Sequence, residues 1–127
     1  MSSKKTVLMI EDEKKVIESY RPRLEKADFK VIEAYDGEEG LETALKKHPD
    51  LILLDLLLPK IEGMELLKRL RQDLWGKRVP VIIITNLYRP DWVATASELG
   101  VYEYLAKSGL SIDDVVLKVQ LQFSGKK

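Results

Sequence analysis

The sequence predicts an α/β fold in which a parallel sheet of five strands is covered by helices on both faces. Five β-prone apolar runs alternate with five segments whose apolar residues recur at helical spacing. Such alternation is typical of parallel strands joined by helical crossovers. The first, third and fourth runs are almost wholly apolar, as in strands buried on both sides, whereas the second and fifth carry charges, as sheet edges do. The strand order 2-1-3-4-5 of a doubly wound, flavodoxin-like sheet satisfies both conditions.

The first unit is a strand over residues 6–10 followed by a helix. The apolar stripe of this helix consists of Val16, Tyr20 and Leu24. Pro22 falls inside the helix and removes one backbone hydrogen bond, at a cost of about 3 kcal/mol. We therefore expect a kink or an early break near Glu18.

The remaining four units repeat this plan. Strands are predicted over residues 30–35, 51–55, 79–85 and 101–107, and turn signals rich in Gly, Pro and Asp separate the elements. The helices that follow are expected to pack on the sheet through their apolar stripes. These stripes are Leu41 and Leu45; Met64, Leu67 and Leu70; Val93, Ala96 and Leu99; and Ile112, Val116, Val119 and Phe123.

Length and composition limit the classes of function. With 127 residues, 45% of them hydrophobic, the chain is expected to form one domain over residues 1–127. The 21 basic and 21 acidic side chains cancel, so no net field attracts nucleic acid or a membrane surface. The absence of cysteine excludes disulfides and thiolate sites. No apolar run has the length of a membrane span or the form of a signal peptide, and we expect a cytoplasmic protein.

Polar residues collect at the predicted carboxyl ends of four strands. They are Glu11 and Asp12 after the first strand, Asp55 at the end of the third, Thr85 of the fourth and Lys107 of the fifth. Taken singly, each has an ordinary structural explanation, since acidic residues cap helices, Thr is β-prone and charged residues solvate strand ends. Together they are expected to meet at the sheet edge where doubly wound folds bind ligands.

The chemistry of this group favours phosphoryl transfer. Clustered carboxylates repel one another unless a cation lies between them, and ligands that are all oxygen favour Mg²⁺ over Zn²⁺. Asp55 stands in an otherwise apolar run, so its charge needs that cation and the lysine. An Asp beside Mg²⁺ and a lysine can accept a phosphoryl group. We therefore predict that Asp55 is phosphorylated, with Mg²⁺ as cofactor.

Four short motifs, in order and at matching spacing, resemble the receiver domain of two-component response regulators, in particular its single-domain, chemotaxis-regulator-like members. The motifs are IED at 10–12, LLDLLLP at 53–59, IIT at 83–85 and YLAKS at 104–108. The resemblance extends over about residues 5–123. Each motif alone is weak, but the ordered set is specific to this family.

The resemblance implies a role for each residue of the site. Asp55 would be the phosphoacceptor, and Lys107 would pair with the phosphoryl group. Asp12 would bind Mg²⁺ directly, Glu11 through water, and Leu57 through its backbone carbonyl. The domain would catalyse only its own phosphoryl transfer and dephosphorylation, and would otherwise be no enzyme.

The resemblance also implies a switch and its partners. Thr85 would swing to hydrogen-bond the phosphoryl group and Tyr104 would then turn inward, which changes the surface of helix 4, strand 5 and helix 5. The phosphoryl group would come from a sensor histidine kinase or a phosphotransfer protein. The output would be a protein target, with neither nucleic acid nor membrane bound by this domain. The domain would be a monomer or a phosphorylation-dependent dimer.

Three positions depart from the pattern of the family. Asn86 replaces the small residue that usually follows the Thr, and would crowd the phosphate or alter the partner-facing loop. Ser108 replaces the proline that usually follows the lysine through a cis bond. A cis Lys107–Ser108 bond would cost about 3–4 kcal/mol, so the loop is either trans and rearranged or strained. Asp28 replaces a glycine at the end of the first helix, which is harmless because Asp tolerates the left-handed region.

Leu57 and Leu87 occupy the two variable positions that flank the phosphoryl group in this family. Polar side chains there can orient a hydrolytic water by hydrogen bonding, and two leucines cannot. We therefore expect slow self-dephosphorylation and a long-lived phosphorylated state.

Two other functions fit the residues less well. A Mg²⁺-dependent phosphohydrolase of the haloacid-dehalogenase type would have an acid/base Asp two residues after its nucleophile, where this chain has Leu57, and a cap domain for which there is no room. A flavin carrier would need a phosphate loop rich in Ser, Thr and Gly after the first strand. This chain has EDEKK there, which carries the wrong charge.

Overall fold

The computed structural model describes residues 4–124, which form five parallel strands and five helices in strict alternation. The strands are β1 (Lys5–Ile10), β2 (Phe29–Ala34), β3 (Leu51–Leu54), β4 (Val81–Thr85) and β5 (Glu103–Ala106). The helices are α1 (Lys14–Lys26), α2 (Gly37–Lys47), α3 (Gly63–Gln72), α4 (Pro90–Glu98) and α5 (Ile112–Ser124). The sheet order is β2-β1-β3-β4-β5, which confirms the prediction.

Alternate residues of the central strands enter two separate hydrophobic clusters, one on each face of the sheet. In β1, Val7 and Met9 belong to the cluster that α1 and α5 cover, whereas Leu8 and Ile10 belong to the cluster that α2, α3 and α4 cover. All four side chains are at most 3% exposed. Because successive strand residues point to opposite faces, burial on both sides requires an unbroken apolar run.

α1 runs without a break from Lys14 to Lys26, so the early break expected near Glu18 does not occur. Pro22 and Glu18 both lie on the exposed side of the helix. The carbonyl that loses its hydrogen bond to Pro22 is therefore open to water. The opposite side of α1 holds the helix on the sheet through Ile17, Tyr20 and Leu24, all buried.

α2 packs on the sheet through small residues. Leu41 is half-buried and Leu45 is 37% exposed, so the predicted stripe is wrong for Leu45. The buried positions of the helix are Gly37, Gly40 and Ala44. A Cβ at Gly40 would lie 2.7 Å from the Ile10 side chain, because the helix approaches the sheet closely at this point. The need for a close approach, rather than for apolar area, decides which side of α2 faces inward.

The register of the strands aligns their carboxyl ends. Ile10 pairs with Leu54 at the end of β1 and β3, and Thr85 pairs with Ala106 at the end of β4 and β5. The segments that follow these strands therefore leave the sheet side by side. Within residues 4–124, no helix combines the length and the apolar character needed to cross a membrane.

Candidate functional site

Two acidic side chains are buried where β1 and β3 end. The N–H of Asp55 donates to the carbonyl of Ile10 at 3.0 Å. The N–H of Glu11 donates to the carbonyl of Ala34 at 3.0 Å. These bonds continue the sheet by one residue and fix both backbones, with Glu11 only 2% exposed and Asp55 only 5% exposed. Two buried carboxylates side by side require cations or protons to compensate them.

Asp12, which is exposed, completes a cluster of three carboxylates. One oxygen atom from each of Glu11, Asp12 and Asp55 lies within 4.8 Å of the other two. Octahedral Mg²⁺ binds oxygens at about 2.0–2.1 Å, which puts adjacent ligands roughly 3 Å apart. Asp12 is exposed, so the cluster is open on one side to the waters that Mg²⁺ keeps. The donor set is all oxygen, so the residues fit a hard cation.

Lys107, one residue beyond β5, places an ammonium group against the two buried carboxylates. Its Nζ donates to Asp55 Oδ2 at 2.8 Å and lies 2.8 Å from Glu11 Oε1. Burial alone would lower the pKa of Lys107. The hydrogen bonds with Asp55 and Glu11 outweigh burial and raise that pKa above its ordinary value. The side chain is therefore a cation at neutral pH and orients the Asp55 carboxylate.

Glu11 titrates far above the ordinary range of a carboxyl group. Burial is the largest influence on the pKa of Glu11 and raises it, as does the nearby charge of Asp55. The hydrogen bonds from Lys107 and from the N–H of Glu13, at 2.9 Å, act in the opposite direction. The net result is a pKa of about 7. One ammonium group shared between two carboxylates does not fully offset their burial.

Thr85 and Tyr104 hold the loop that follows β4 from two sides. Thr85 is 1% exposed, and its Oγ1 accepts from the N–H of Leu87 at 3.2 Å. The hydroxyl of Tyr104 donates to the carbonyl of Leu87 at 2.7 Å. A cavity of about 290 Å³ lies beside them, lined also by Val93 of α4 and Ala106 of β5. The two predicted switch residues are thus connected through the backbone of a single residue.

Leu57 and Leu87 lie on the loops that follow β3 and β4. The N–H of Leu57 donates to Asp55 Oδ1 at 3.2 Å, so its backbone contacts the predicted phosphoacceptor. The Leu57 side chain is 54% exposed, and that of Leu87 is half-buried. Their predicted effect on the lifetime of the phosphorylated state stays a prediction.

Gly63, the first residue of α3, allows the loop carrying Asp55 to pack against the helix. A Cβ at this position would lie 2.5 Å from the Cα of Leu56 and 2.6 Å from the carbonyl oxygen of Asp55. The N–H of Gly63 donates to the carbonyl of Leu56 at 2.9 Å. Only glycine permits this approach of two backbones, so the KIEG segment fixes the loop after the predicted phosphoacceptor.

The departures at positions 86 and 108 are in direct contact. The Lys107–Ser108 bond is trans, as is every peptide bond of the described residues 4–124. The N–H of Ser108 donates to Asn86 Oδ1 at 2.8 Å. Of the two alternatives left by the sequence, the bond is therefore the trans one. Asp28 has a φ of 76°, in the left-handed region, as expected.

The structure brings the predicted residues to one edge of the sheet. Those in direct contact or in one carboxylate cluster are Glu11, Asp12, Asp55 and Lys107. Four further residues are connected to this group or to one another by hydrogen bonds in which at least one partner is a backbone group. They are Leu57, Thr85, Leu87 and Tyr104. Sequence reasoning missed Glu13, whose Oε1 lies 3.8 Å from Lys107 Nζ. Its place directly after the acidic pair was a signal, but the side-chain direction depends on the turn after β1.

A family model of known proteins matches this chain. The model, described as the response regulator receiver domain, matches residues 7–120. Among curated relatives, the alkaline phosphatase synthesis transcriptional regulatory protein PhoP of Bacillus subtilis is 36% identical over 103 residues, which are 81% of this chain and 42% of PhoP. The chain spans about half the length, or somewhat less, of the curated relatives it matches.

Solved structures agree with the fold. The phosphorylated cyanobacterial phytochrome response regulator RcpA superposes with a TM-score of 0.83 at 27% identity, covering 98% of both chains. The Mn²⁺-bound form of response regulator Rcp1 superposes with a TM-score of 0.80 at 29% identity, covering 97% of both chains.

Proposed function

The chain belongs to the response regulator receiver domains, whose known function is phosphorylation signalling, and we propose that Asp55 is its phosphoacceptor. The observation that carries this proposal is the setting of the Asp55 carboxylate. It is 5% exposed, its Oδ2 accepts from Lys107 Nζ at 2.8 Å, and it shares a cluster with Glu11 and Asp12. The group is thus oriented in advance, and the charge of an arriving phosphoryl group faces an ammonium group already in position.

In the proposed step, a bond forms between an Asp55 carboxylate oxygen and phosphorus as the bond from phosphorus to the donor breaks. With a phosphohistidine donor, the bond broken is P–N, and the electron pair leaves with the imidazole. The N–H of Leu57, 3.2 Å from Asp55 Oδ1, and Nζ of Lys107 keep the carboxylate from rotating. Lys107 also neutralises charge on the phosphoryl oxygens as they approach.

We propose that Asp12, Asp55 and the backbone carbonyl of Leu57 hold Mg²⁺, with Glu11 acting through water. When bound, Mg²⁺ would supply positive charge to the phosphoryl oxygens. The all-oxygen donor set supports this assignment. The relative Rcp1 supports it too, since that protein was solved with Mn²⁺, another divalent cation that prefers oxygen ligands.

The proposed switch begins at Thr85. Its hydroxyl would hydrogen-bond a phosphoryl oxygen and would no longer accept from the N–H of Leu87. One of the two hydrogen bonds that hold the Leu87 backbone would thereby be lost. Tyr104, whose hydroxyl donates a hydrogen bond to the carbonyl of Leu87, would then turn into the adjoining cavity of about 290 Å³. The surface formed by α4, β5 and α5 would change in consequence.

Receiver domains interact with histidine kinases. We propose that the phosphoryl group comes from such a kinase or from a phosphotransfer protein, and that residues 1–127 act as one receiver domain. PhoP is a transcriptional regulatory protein, and the matched region covers 42% of its length. The output of the present domain, through the α4-β5-α5 surface, would therefore be contact with another protein domain rather than with nucleic acid.

The assignment of Asp55 is tested by labelling with acetyl phosphate and Mg²⁺. We expect one added phosphoryl group, mapped by mass spectrometry to Asp55, and no label in Asp55→Asn. Lys107→Ala should label more slowly, because the ammonium group that faces the phosphoryl oxygens is lost. It should also be less stable, since two buried carboxylates lose their shared cation, and it is therefore assayed with Mg²⁺ present throughout. A label on Thr85 or Ser108, or full labelling of Asp55→Asn, would contradict the proposal.

A further inference from the structure

Two departures from the pattern of the family meet in one hydrogen bond, and we propose that this bond makes Asn86 a positioning residue for Lys107. The N–H of Ser108 donates to Asn86 Oδ1 at 2.8 Å. The inference rests on the proposed roles of Asp55 and Lys107. It adds a residue, outside the family's phosphorylation motif, that controls how well the lysine is held.

The bond joins the segments that follow β4 and β5, just beyond the last backbone pair of the two strands. The ladder ends with Thr85 opposite Ala106, and the N–H of Lys107 then donates to the carbonyl of Thr85 at 2.9 Å. The next N–H, that of Ser108, lies beyond the ladder and donates to the Asn86 side chain. The backbone of Lys107 is therefore held by hydrogen bonds on both of its peptide groups, each to the segment that carries Thr85.

The loop after Lys107 has few other means of support. Ser108 and Gly109 are both exposed, and Gly109 has a φ of 80° in the left-handed region. Nevertheless Lys107 Nζ must lie within 2.8 Å of two carboxylates at once. A side chain with four rotatable bonds holds such a position only if its own backbone is fixed. The hydrogen bond to Asn86 supplies that constraint on the carboxyl side of Lys107.

Each of the two residues requires the other. A proline at position 108 has no N–H, and Asn86 Oδ1 would lose this donor. A small side chain at position 86 would leave the N–H of Ser108 without this acceptor. The Asn86 side chain thus joins the loop after β4 to the loop after β5.

The contact itself is tested by amide hydrogen exchange. The Ser108 N–H should exchange more slowly in wild-type protein than in Asn86→Ala, and Ser108→Ala should retain protection at residue 108 because it keeps the N–H. Equal exchange at residue 108 in wild type and Asn86→Ala would overturn the proposal at this first step.

The functional test is the rate at which acetyl phosphate labels Asp55. A net hydrogen bond of ordinary strength corresponds to about a three- to tenfold change in rate, so Asn86→Ala should be slower by that factor. Ser108→Ala should label at the wild-type rate. In the Ser108→Pro background, which lacks the N–H, Asn86→Ala should cause no further change.

A second double-mutant cycle, with Asn86→Ala and Lys107→Ala, distinguishes positioning of Lys107 from a general structural effect. In the Lys107→Ala background, labelling followed over hours and the affinity for beryllofluoride should both be unaffected by Asn86→Ala. If Asn86→Ala slows labelling by the same factor with and without Lys107, Asn86 acts elsewhere and the inference is wrong. A wild-type labelling rate in Asn86→Ala would also overturn it.

Failure of the underlying function would look different. If wild-type protein took no label, or Asp55→Asn kept it, the assignment of the phosphoacceptor would fail. The exchange of the Ser108 N–H would still report whether the contact exists.

Discussion

At the scale of single residues, the site contains two buried carboxylates and one ammonium group. Lys107 Nζ lies 2.8 Å from Asp55 Oδ2 and 2.8 Å from Glu11 Oε1, so it cannot neutralise both acids. Burial of the Glu11 side chain raises its pKa to about 7, and the nearby charge of Asp55 adds to the effect of burial. A proton on Glu11 or a cation beside it can supply the missing charge. Proton and metal ion therefore compete for the same place in the molecule.

The raised pKa of Glu11 predicts a pH-dependent stability in the absence of metal ions. The pKa rises from 4.5 to about 7 on folding, so between these values the folded state binds more protons than the unfolded state. Stability from this group is fully present below pH 4.5 and is lost as the pH rises through about 7. In EDTA, urea unfolding at a series of pH values should show that the free energy of unfolding of wild type falls by on the order of 2 kcal/mol between these two pKa values, relative to that of Glu11→Gln. Parallel curves for the two proteins would contradict the burial argument.

Leu57 and Leu87 predict a slow loss of phosphate. Leu57 follows the proposed phosphoacceptor by two residues, and its backbone N–H donates to Asp55 Oδ1. Neither leucine side chain can hold a water in line with the phosphorus. Replacing Leu57 by Asn and Leu87 by Glu should speed dephosphorylation, and a tenfold change would correspond to about 1.4 kcal/mol of barrier. The measurement is the decay of phosphorylated protein after the donor is removed.

Leu117→Asn is a matched control for that experiment. Its side chain is 53% exposed, close to the 54% of Leu57, but it lies on α5. The control should leave the decay unchanged. If wild type loses phosphate as fast as the double variant, the leucines do not govern the water.

At the scale of elements, the strands were predictable and the orientation of one helix was not. Burial on both sides leaves a direct mark on β1, β3 and β4, since every position of such a strand must be apolar. α2 differs because its inner side is set by a close approach to β1 at Gly40. The leucine spacing at 41 and 45 gives no sign of that contact. The break expected near Glu18 also failed, because tertiary packing of Ile17, Tyr20 and Leu24 holds α1 across Pro22.

In the site too, the residues at strand ends were predictable from the sequence and the contacts made by loops were not. The acids, the Thr and the Lys were identified because strand ends converge on one edge. The bond between Asn86 and Ser108 was not, since it depends on a loop whose backbone the sequence does not determine. Glu13 was missed for the same reason.

At the connection between β3 and α3, substitution of a glycine should lower both the stability of the fold and the rate at which Asp55 is labelled. Gly63→Ala would place a Cβ 2.6 Å from the Asp55 carbonyl oxygen, so the loop carrying Asp55 must shift. We expect a loss of about 1–3 kcal/mol in the free energy of unfolding and slower labelling of Asp55. Gly40→Ala is the control, because the three atoms nearest its Cβ all belong to the Ile10 side chain and none to a backbone. It should lose stability but label at the wild-type rate, and equal labelling by both variants would refute the role of Gly63.

At the scale of the whole molecule, one edge of the sheet connects elements from the entire chain. Asp12 follows β1, Asp55 follows β3 and Lys107 follows β5, while the two hydrophobic clusters lie on opposite faces behind them. The chain carries no net charge, so long-range attraction to partners must come from local surfaces. A cation held by the three carboxylates requires β1 and β3 to be in place side by side. Binding at the site must therefore stabilise the complete fold.

Mg²⁺ should accordingly raise the melting temperature of the domain. A ligand that binds only the folded state adds RT ln(1 + [L]/Kd), which reaches about 2.7 kcal/mol at a hundred times Kd. Thermal unfolding followed across a Mg²⁺ titration should show the rise in wild type, and Asp12→Asn should abolish most of it. Asp28→Asn is the control, since Asp28 is exposed at the far end of α1 and Asn tolerates its left-handed backbone. The control should respond to Mg²⁺ as wild type does. A response in Asp12→Asn equal to that of Asp28→Asn would mean that Mg²⁺ acts through general screening of acidic charge and not through the three carboxylates.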